Sequence, residues 1–319
     1  MAGILLANLL PPLSAASGQI MHQAKVLFVA AVLAALGAGT AAGQQNLGAQ
    51  GAESEPNRLQ QWLVPSPDSG HPSHAVLFRP SGDGPFPLAV IAHASVQNVL
   101  RRAQMLQPEY RALAGFLVAR GFAVLVPERP GHGATGGKYL EDQGGCDEAD
   151  YAKSGRATAD EIATAMGFVR QQSFIRPEGT IVIGHSAGAW GALALAGEDL
   201  KDVAAIIAFA PGRGGHANDF ANQVCAPHSL VAAAGEFGKG ARVPVSWLVA
   251  ANDSYFSPAL SRQLADAFRS GGAKVDFRVL AAYGSEGHWL PETEGGVKSA
   301  ASELDRALKP RSRGAAKKR

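Results

Sequence analysis

The chain has 319 residues, 46% hydrophobic and 18% charged, a balance that suits one large α/β domain or two small ones. Its formal net charge of +2 gives no reason to expect a nucleic-acid partner. Much of the basic excess lies in residues 309–319, from Lys309 to Arg319, which lack apolar anchors and read as a disordered basic tail. A polybasic membrane or nucleic-acid contact is the alternative for that tail.

In chain order, Met1 to Ile20 is apolar and carries no Lys or Arg. A more typical export signal begins at Met21: His22 and Lys25 give a polar, basic start, and Val26 to Leu36 is an apolar run. Small residues from Gly37 to Gly43 offer cleavage positions, for example after Ala42 or Gly43. Residues 1–43 are therefore expected to be a signal-peptide region with Met21 as the true start. The mature chain would then have no stable membrane span and would be periplasmic or secreted. The alternative is an uncleaved N-terminal anchor, although the run is short for a span.

Gln44 to Asn57 is polar and Gly-rich and reads as a linker. Gln61–Val64 and Ala75–Phe78, split by a Pro/Ser/Asp/Gly turn, predict an antiparallel pair. Leu88–Ala92 is a continuous apolar run of the kind found in buried parallel strands. Helical spacing follows over Pro108–Arg120 and stops at Gly121, and Phe122–Val126 is the next strand. Thr158–Gln171 reads as a helix, Thr180–Ile183 as a strand and Ala189–Ala196 as a helix. Val203–Phe209 and Val243–Ala250 are strands, with Arg213–Arg242 between them as the longest irregular stretch. Ser257–Arg269 is helical, Lys274–Leu280 a strand and Gly295–Leu308 the last helix. This alternation predicts a mostly parallel sheet with helices on both faces and no large cap domain, over residues 58–308.

The two cysteines, Cys146 and Cys225, both fall outside the predicted strands. In an exported protein they could pair as one disulfide; the alternative is two unpaired thiols.

The chemistry centres on Gly184-His185-Ser186-Ala187-Gly188, flanked by a strand and a helix. This is the G-x-S-x-G nucleophile-elbow pattern of α/β-hydrolases. A serine hydroxyl needs a base, and the base needs a carboxylate to fix its tautomer. Asp253 follows the strand Val243–Ala250, and His288 follows the strand Lys274–Leu280. Both are thus expected at the sheet edge that carries Ser186, in the order serine, acid, histidine. The backbone N–H of Ala187 is the expected first oxyanion donor. The second should come from His93-Ala94-Ser95, with Ser95 preferred over Ala94. His93, Ala94, Arg129, His132 and Arg213 are candidate pocket residues. No Cys/His cluster has metal-site spacing and no dinucleotide fingerprint opens a βαβ unit, so neither metal nor cofactor is expected.

With these motifs the chain resembles a secreted member of the dienelactone hydrolase-like branch of the α/β-hydrolase superfamily. The residues that carry the resemblance are His93-Ala94-Ser95, Arg129-Pro130-Gly131-His132-Gly133, Gly184 to Gly188, Asn252-Asp253 and Gly287-His288. It spans roughly Leu59 to Leu308. The resemblance implies an α/β-hydrolase fold and a small-molecule ester substrate. Dienelactone hydrolases proper use a cysteine nucleophile, whereas this chain has Ser186, so serine ester hydrolysis is the expectation. The alternatives are a serine peptidase of the acylaminoacyl or dipeptidyl type, and a non-catalytic binding protein on the same scaffold.

Overall fold

The computed structural model describes residues 46–198 and 202–309. The expected signal region 1–43 and the basic tail beyond Lys309 lie outside the described residues.

A nine-stranded sheet runs in the order β1-β2-β3-β5-β4-β6-β7-β8-β9. Strands β1 (Gly48–Ala49), β2 (Gln60–Val64), β3 (Ser73–Phe78) and β5 (Ala123–Pro127) pair antiparallel in succession. From β5 onward the pairing is parallel, through β4 (Phe86–Ala92), β6 (Ile175–His185), β7 (Val203–Phe209), β8 (Val245–Ala250) and β9 (Val275–Leu280). The alternation read from the sequence is therefore the fold. One expectation fails: residues 46–57 are not a free linker, because β1 pairs Gly48 with Leu63 and Ala49 with Trp62. Composition hid this, since a two-residue edge strand needs no apolar pattern.

The sheet places β5 on one side of β4 and β6 on the other, so the winding reverses at β4. Open α/β sheets bind ligands at the carboxyl ends of strands beside such a reversal. There Ala92, the last residue of β4, lies opposite Gly184 of β6. This register brings the His93–Ser95 loop and the Ser186 turn together.

Buried side chains alternate between the two faces. Leu88, Val90 and Val182 face one core, and Ala89, Ile91, Ile181 and Ile183 the other. Burial on both faces explains why these strands read as unbroken apolar runs. The first core is covered by α3 (Tyr151–Val169), α4 (Ala187–Leu195), α5 (Pro227–Gly240) and α6 (Pro258–Ser270). The second is covered by α2 (Arg111–Val118), α7 (Glu294–Ser299) and α8 (Ala301–Leu308).

Caps explain where the helices depart from expectation. Helix α3 starts at Tyr151, ahead of the expected Thr158, because Asp150 Oδ1 accepts the Lys153 N–H at 2.9 Å. The stretch 213–242 is not irregular throughout: α5 begins with Pro227 in its first turn, where a missing N–H costs nothing. A short helix, α1 (Val99–Ala103), went unread; Asn98 Oδ1 caps it by accepting the Leu100 and Arg101 N–H groups, each at 3.0 Å.

Cys146 and Cys225 are disulfide-bonded, with Cα atoms 4.8 Å apart. The bond ties the loop before α3 to the segment leading into α5.

Candidate active site

Ser186 sits between β6 and α4 with φ 55° and ψ −117°. A non-glycine residue in such a conformation costs about 1–3 kcal/mol and persists only where its surroundings impose it. The flanking glycines show how. A Cβ on Gly184 would collide with the Ala189 backbone, and one on Gly188 with the Ala92 and His93 carbonyls. Glycine at both places lets α4 close onto its own strand and onto the end of β4.

Asp253 follows β8 and His288 lies in the 3-10 turn Gly287–Glu292 after β9. His288 Nδ1–H donates to Asp253 Oδ2 at 3.0 Å, and both side chains are buried. Asp253 Oδ1 accepts the N–H groups of Tyr255 at 2.9 Å and Phe256 at 2.8 Å. With Nδ1 donating, Nε2 of His288 carries the lone pair. Burial lowers the His288 pKa below the ordinary histidine value, and the Asp253 hydrogen bond pulls against that shift. The ring is thus neutral near pH 7 and able to take a proton.

Ser186, Ala187, Ser95 and His288 line one cavity of about 140 Å³. Among the described hydrogen bonds none joins Ser186 Oγ to His288; in substrate-free enzymes such bonds are often long and tighten on binding.

The His93–Ser95 loop is held from several directions. The Ala94 N–H donates to Tyr110 Oη at 3.1 Å, whereas the Ser95 and Ala187 N–H groups have no acceptor among the described residues. Ser95 Oγ lies 2.7 Å from His132 Nε2, and His132 Nδ1 lies 3.0 Å from the Arg129 carbonyl and 3.1 Å from that of Pro130. Carbonyls only accept, so His132 donates through Nδ1 and accepts the Ser95 hydroxyl at Nε2. Burial drives the His132 pKa well below normal, which agrees with a neutral ring.

Several candidate pocket residues prove to be scaffold. Arg129 and His132 are buried and line none of the described cavities. The Arg129 guanidinium donates to Glu141 at 2.5 Å and to the His93 carbonyl at 2.8 Å. The Arg129 N–H donates to His93 Nε2 at 3.1 Å. A buried guanidinium needs a carboxylate, and Glu141 supplies it to both Arg129 and Arg213. Arg213 reaches the serine cavity wall, but its guanidinium points to Glu141, Thr158 Oγ1 at 2.8 Å and Tyr139 Oη at 3.0 Å. His93 and Ala94 line a neighbouring cavity of about 330 Å³ that shares Ser95 and Trp289 with the first.

Other contacts had no sequence signal. The Tyr255 ring stacks on His288, with centroids 4.2 Å apart and planes 21° apart, and on its other side stacks with His216 at 3.6 Å. Glu286 accepts the His288 N–H at 2.9 Å and the Ser254 N–H at 3.1 Å, joining the Asp253 and His288 loops. His185 Nε2–H donates to the His288 carbonyl at 2.8 Å, while its Nδ1 lies 3.1 Å from Glu292 and 2.9 Å from Tyr110 Oη. Among the described residues no group of three metal-binding side chains occurs, and no helix is long and apolar enough to cross a membrane.

Comparison with known proteins agrees with this architecture. The family described as serine aminopeptidase S33 matches residues 107–239. No curated protein matches. Among solved structures, an esterase of Pyrococcus furiosus is 13% identical, covering 82% of this chain and 100% of its own, with a TM-score of 0.55. An S-formylglutathione hydrolase of Agrobacterium tumefaciens is 15% identical, covering 83% and 99%, with a TM-score of 0.55. A protein assigned as a dienelactone hydrolase from Klebsiella pneumoniae is 14% identical, covering 78% and 97%, with a TM-score of 0.52. The fold is that of the α/β-hydrolases.

Proposed function

We propose that the protein is a serine hydrolase of carboxylic esters that works through an acyl-enzyme. Ser186 is the nucleophile, His288 the general base and Asp253 the group that fixes the base's tautomer. His288 Nε2 takes the Ser186 proton as Oγ attacks the ester carbonyl. The N–H groups of Ala187 and Ser95 receive the developing oxyanion. Ser95 is assigned in preference to Ala94, whose N–H is occupied by Tyr110. His288 then returns the proton to the departing alcohol and activates water for deacylation. The observation that carries this reading is the His288–Asp253 hydrogen bond on a cavity shared with a serine held at φ 55°.

A second reading has support in the match to a serine aminopeptidase family over residues 107–239. A dipeptidyl aminopeptidase IV-type structure from Bacteroides ovatus also shares the fold, but this chain covers only 35% of it. Ester hydrolysis is preferred on the resemblance to the dienelactone hydrolase-like branch. An exported location is part of the proposal and rests on the Cys146–Cys225 disulfide and the expected signal region.

A panel of short p-nitrophenyl esters and aminoacyl amides, run on wild type and Ser186→Ala, tests both readings. The expected result is ester turnover that Ser186→Ala abolishes while the fold is kept. Faster amide than ester turnover would favour the peptidase, and unchanged turnover in Ser186→Ala would remove the serine mechanism.

A further inference from the structure

The serine cavity shares lining residues with two neighbouring lobes that differ in character. On one side lies the lobe of about 330 Å³, walled mainly by Val96, Met105, Leu106, Pro108 and Trp289, with Glu109 and Glu292 also lining it. Leu106 lines it and is 88% exposed. On the other side lies a lobe of about 320 Å³ that backs onto the Cys146–Cys225 disulfide. Its wall is glycine backbone at Gly144, Gly214 and Gly215, with amide side chains from Gln97, Asn98 and Gln143.

The charges in the second lobe nearly cancel. Arg101 and Asp219 approach to 3.9 Å, and both are exposed. A net anion or cation gains little from such a pair, whereas hydroxyl groups can both donate and accept along it. Gln97 lines the lobe and its Nε2 donates to Gln143 Oε1 at 3.3 Å, which leaves the Gln97 carbonyl oxygen and one amide hydrogen without a side-chain partner.

We infer that the substrate is an amphipathic ester. Its apolar half, a medium alkyl or aryl group, lies between Met105 and Trp289, and its neutral hydroxylated half lies beside the disulfide. The ester carbonyl spans the two at Ser186. The inference rests on the serine-hydrolase reading and adds a substrate class to it. The disulfide, on this view, fixes the two loops that wall the hydroxylated side.

The test uses the full chain and four esters: p-nitrophenyl acetate, methyl hexanoate, monohexanoylglycerol and hexyl 2,3-dihydroxypropanoate. The last two carry the apolar and hydroxylated halves in opposite arrangements. Leu106→Asp and Gln97→Leu alter exposed side chains, so both variants should fold. For the better amphipathic ester, kcat/KM should exceed that for methyl hexanoate. Leu106→Asp should raise KM for every hexyl-bearing ester about tenfold, because burying several methylenes beside a carboxylate is unfavourable. Gln97→Leu should raise KM about fivefold for the hydroxylated esters alone, from the loss of roughly one hydrogen bond. Turnover of p-nitrophenyl acetate should stay within about twofold in Gln97→Leu, since this ester carries no hydroxylated half. Equal kcat/KM for methyl and amphipathic esters, or variants that change all substrates alike, would overturn the inference while leaving the serine mechanism standing. Absence of p-nitrophenyl acetate turnover in wild type would instead remove the reading on which it rests.

Discussion

The cleft has two sides that are built differently. On the base side, Asp253 and His288 are oriented by neighbours close in sequence: Asp253 accepts N–H groups two and three residues on, and Glu286 holds the N–H of His288 two residues later. On the oxyanion side, the His93–Ser95 loop depends on Tyr110, Arg129 and His132, and Arg129 depends in turn on Glu141, which also serves Arg213. Local turns can be disturbed one residue at a time. A buried network of charges fails together, because removing one partner leaves another charge stranded. The base side should therefore govern rate with little effect on stability, and the oxyanion side should govern both.

Substitutions can break that comparison, and the largest effect belongs to the base. His288→Ala should lower kcat for a short ester by about 10⁶-fold, the scale seen when one member of a coupled triad is removed. Its thermal midpoint should fall far less than that of a network variant. Asp253→Asn should lower kcat by about 10⁴-fold, because an amide can hold the ring in the wrong tautomer. Glu141→Gln is the contrasting variant: it should cost about 3–5 kcal/mol by stranding Arg129 and Arg213. Denaturant unfolding alongside ester kinetics measures both effects. A Glu141→Gln protein as stable as wild type would erase the distinction between the two sides. Ser95→Ala should have the smallest effect of the substitutions, about fivefold in kcat, since it loses only the hydroxyl contact to His132 and keeps the N–H donor.

The same contrast appears in pH. Burial lowers the pKa of His288 and drives those of His93 and His132 well down. In the unfolded chain these rings titrate near pH 6.5. Stability from keeping them neutral is therefore fully present above that value and is lost as pH falls through their folded pKa values. Glu161 acts in the opposite direction: burial pushes it up to about 8 against the pull of Arg129. Its contribution is present below the ordinary glutamate value and is lost as pH rises through about 8. Thermal midpoints across pH 5 to 9 should thus fall at both ends, with the acid-side loss reduced in a His132→Asn variant. Because His288 must be neutral to accept the serine proton, the acid limb of kcat/KM should lie below pH 6.5.

The base side was legible in the sequence and the oxyanion scaffold was not, for a physical reason. Ser186, Asp253 and His288 each follow an apolar strand, so strand pattern alone puts them on one edge. The glycines at 184 and 188 are there because backbone passes where a Cβ would be. Arg129 and His132 looked like pocket residues because charged and imidazole groups near a site usually face it, whereas Arg213 does line the serine cavity. The carboxylates that hold the two arginines, Glu141 for both and Glu161 for Arg129, lie in a loop and a helix whose placement no local pattern gives. Residues 46–57 misled for the converse reason: polar, Gly-rich sequence can still pair its backbone on a sheet edge. Helix α5 escaped notice within 213–242 because its apolar positions are mostly alanine and glycine, which give a weak periodic signal.

The central claim is that Ser186 is a nucleophile activated by His288. Its most direct test is the intact mass of the folded protein after exposure to a fluorophosphonate, followed by peptide mapping. One adduct on Ser186 is predicted in wild type, with none in Ser186→Ala and strongly slowed labelling in His288→Ala. A folded wild-type protein that takes up no adduct, or takes it up at another residue, would contradict the account.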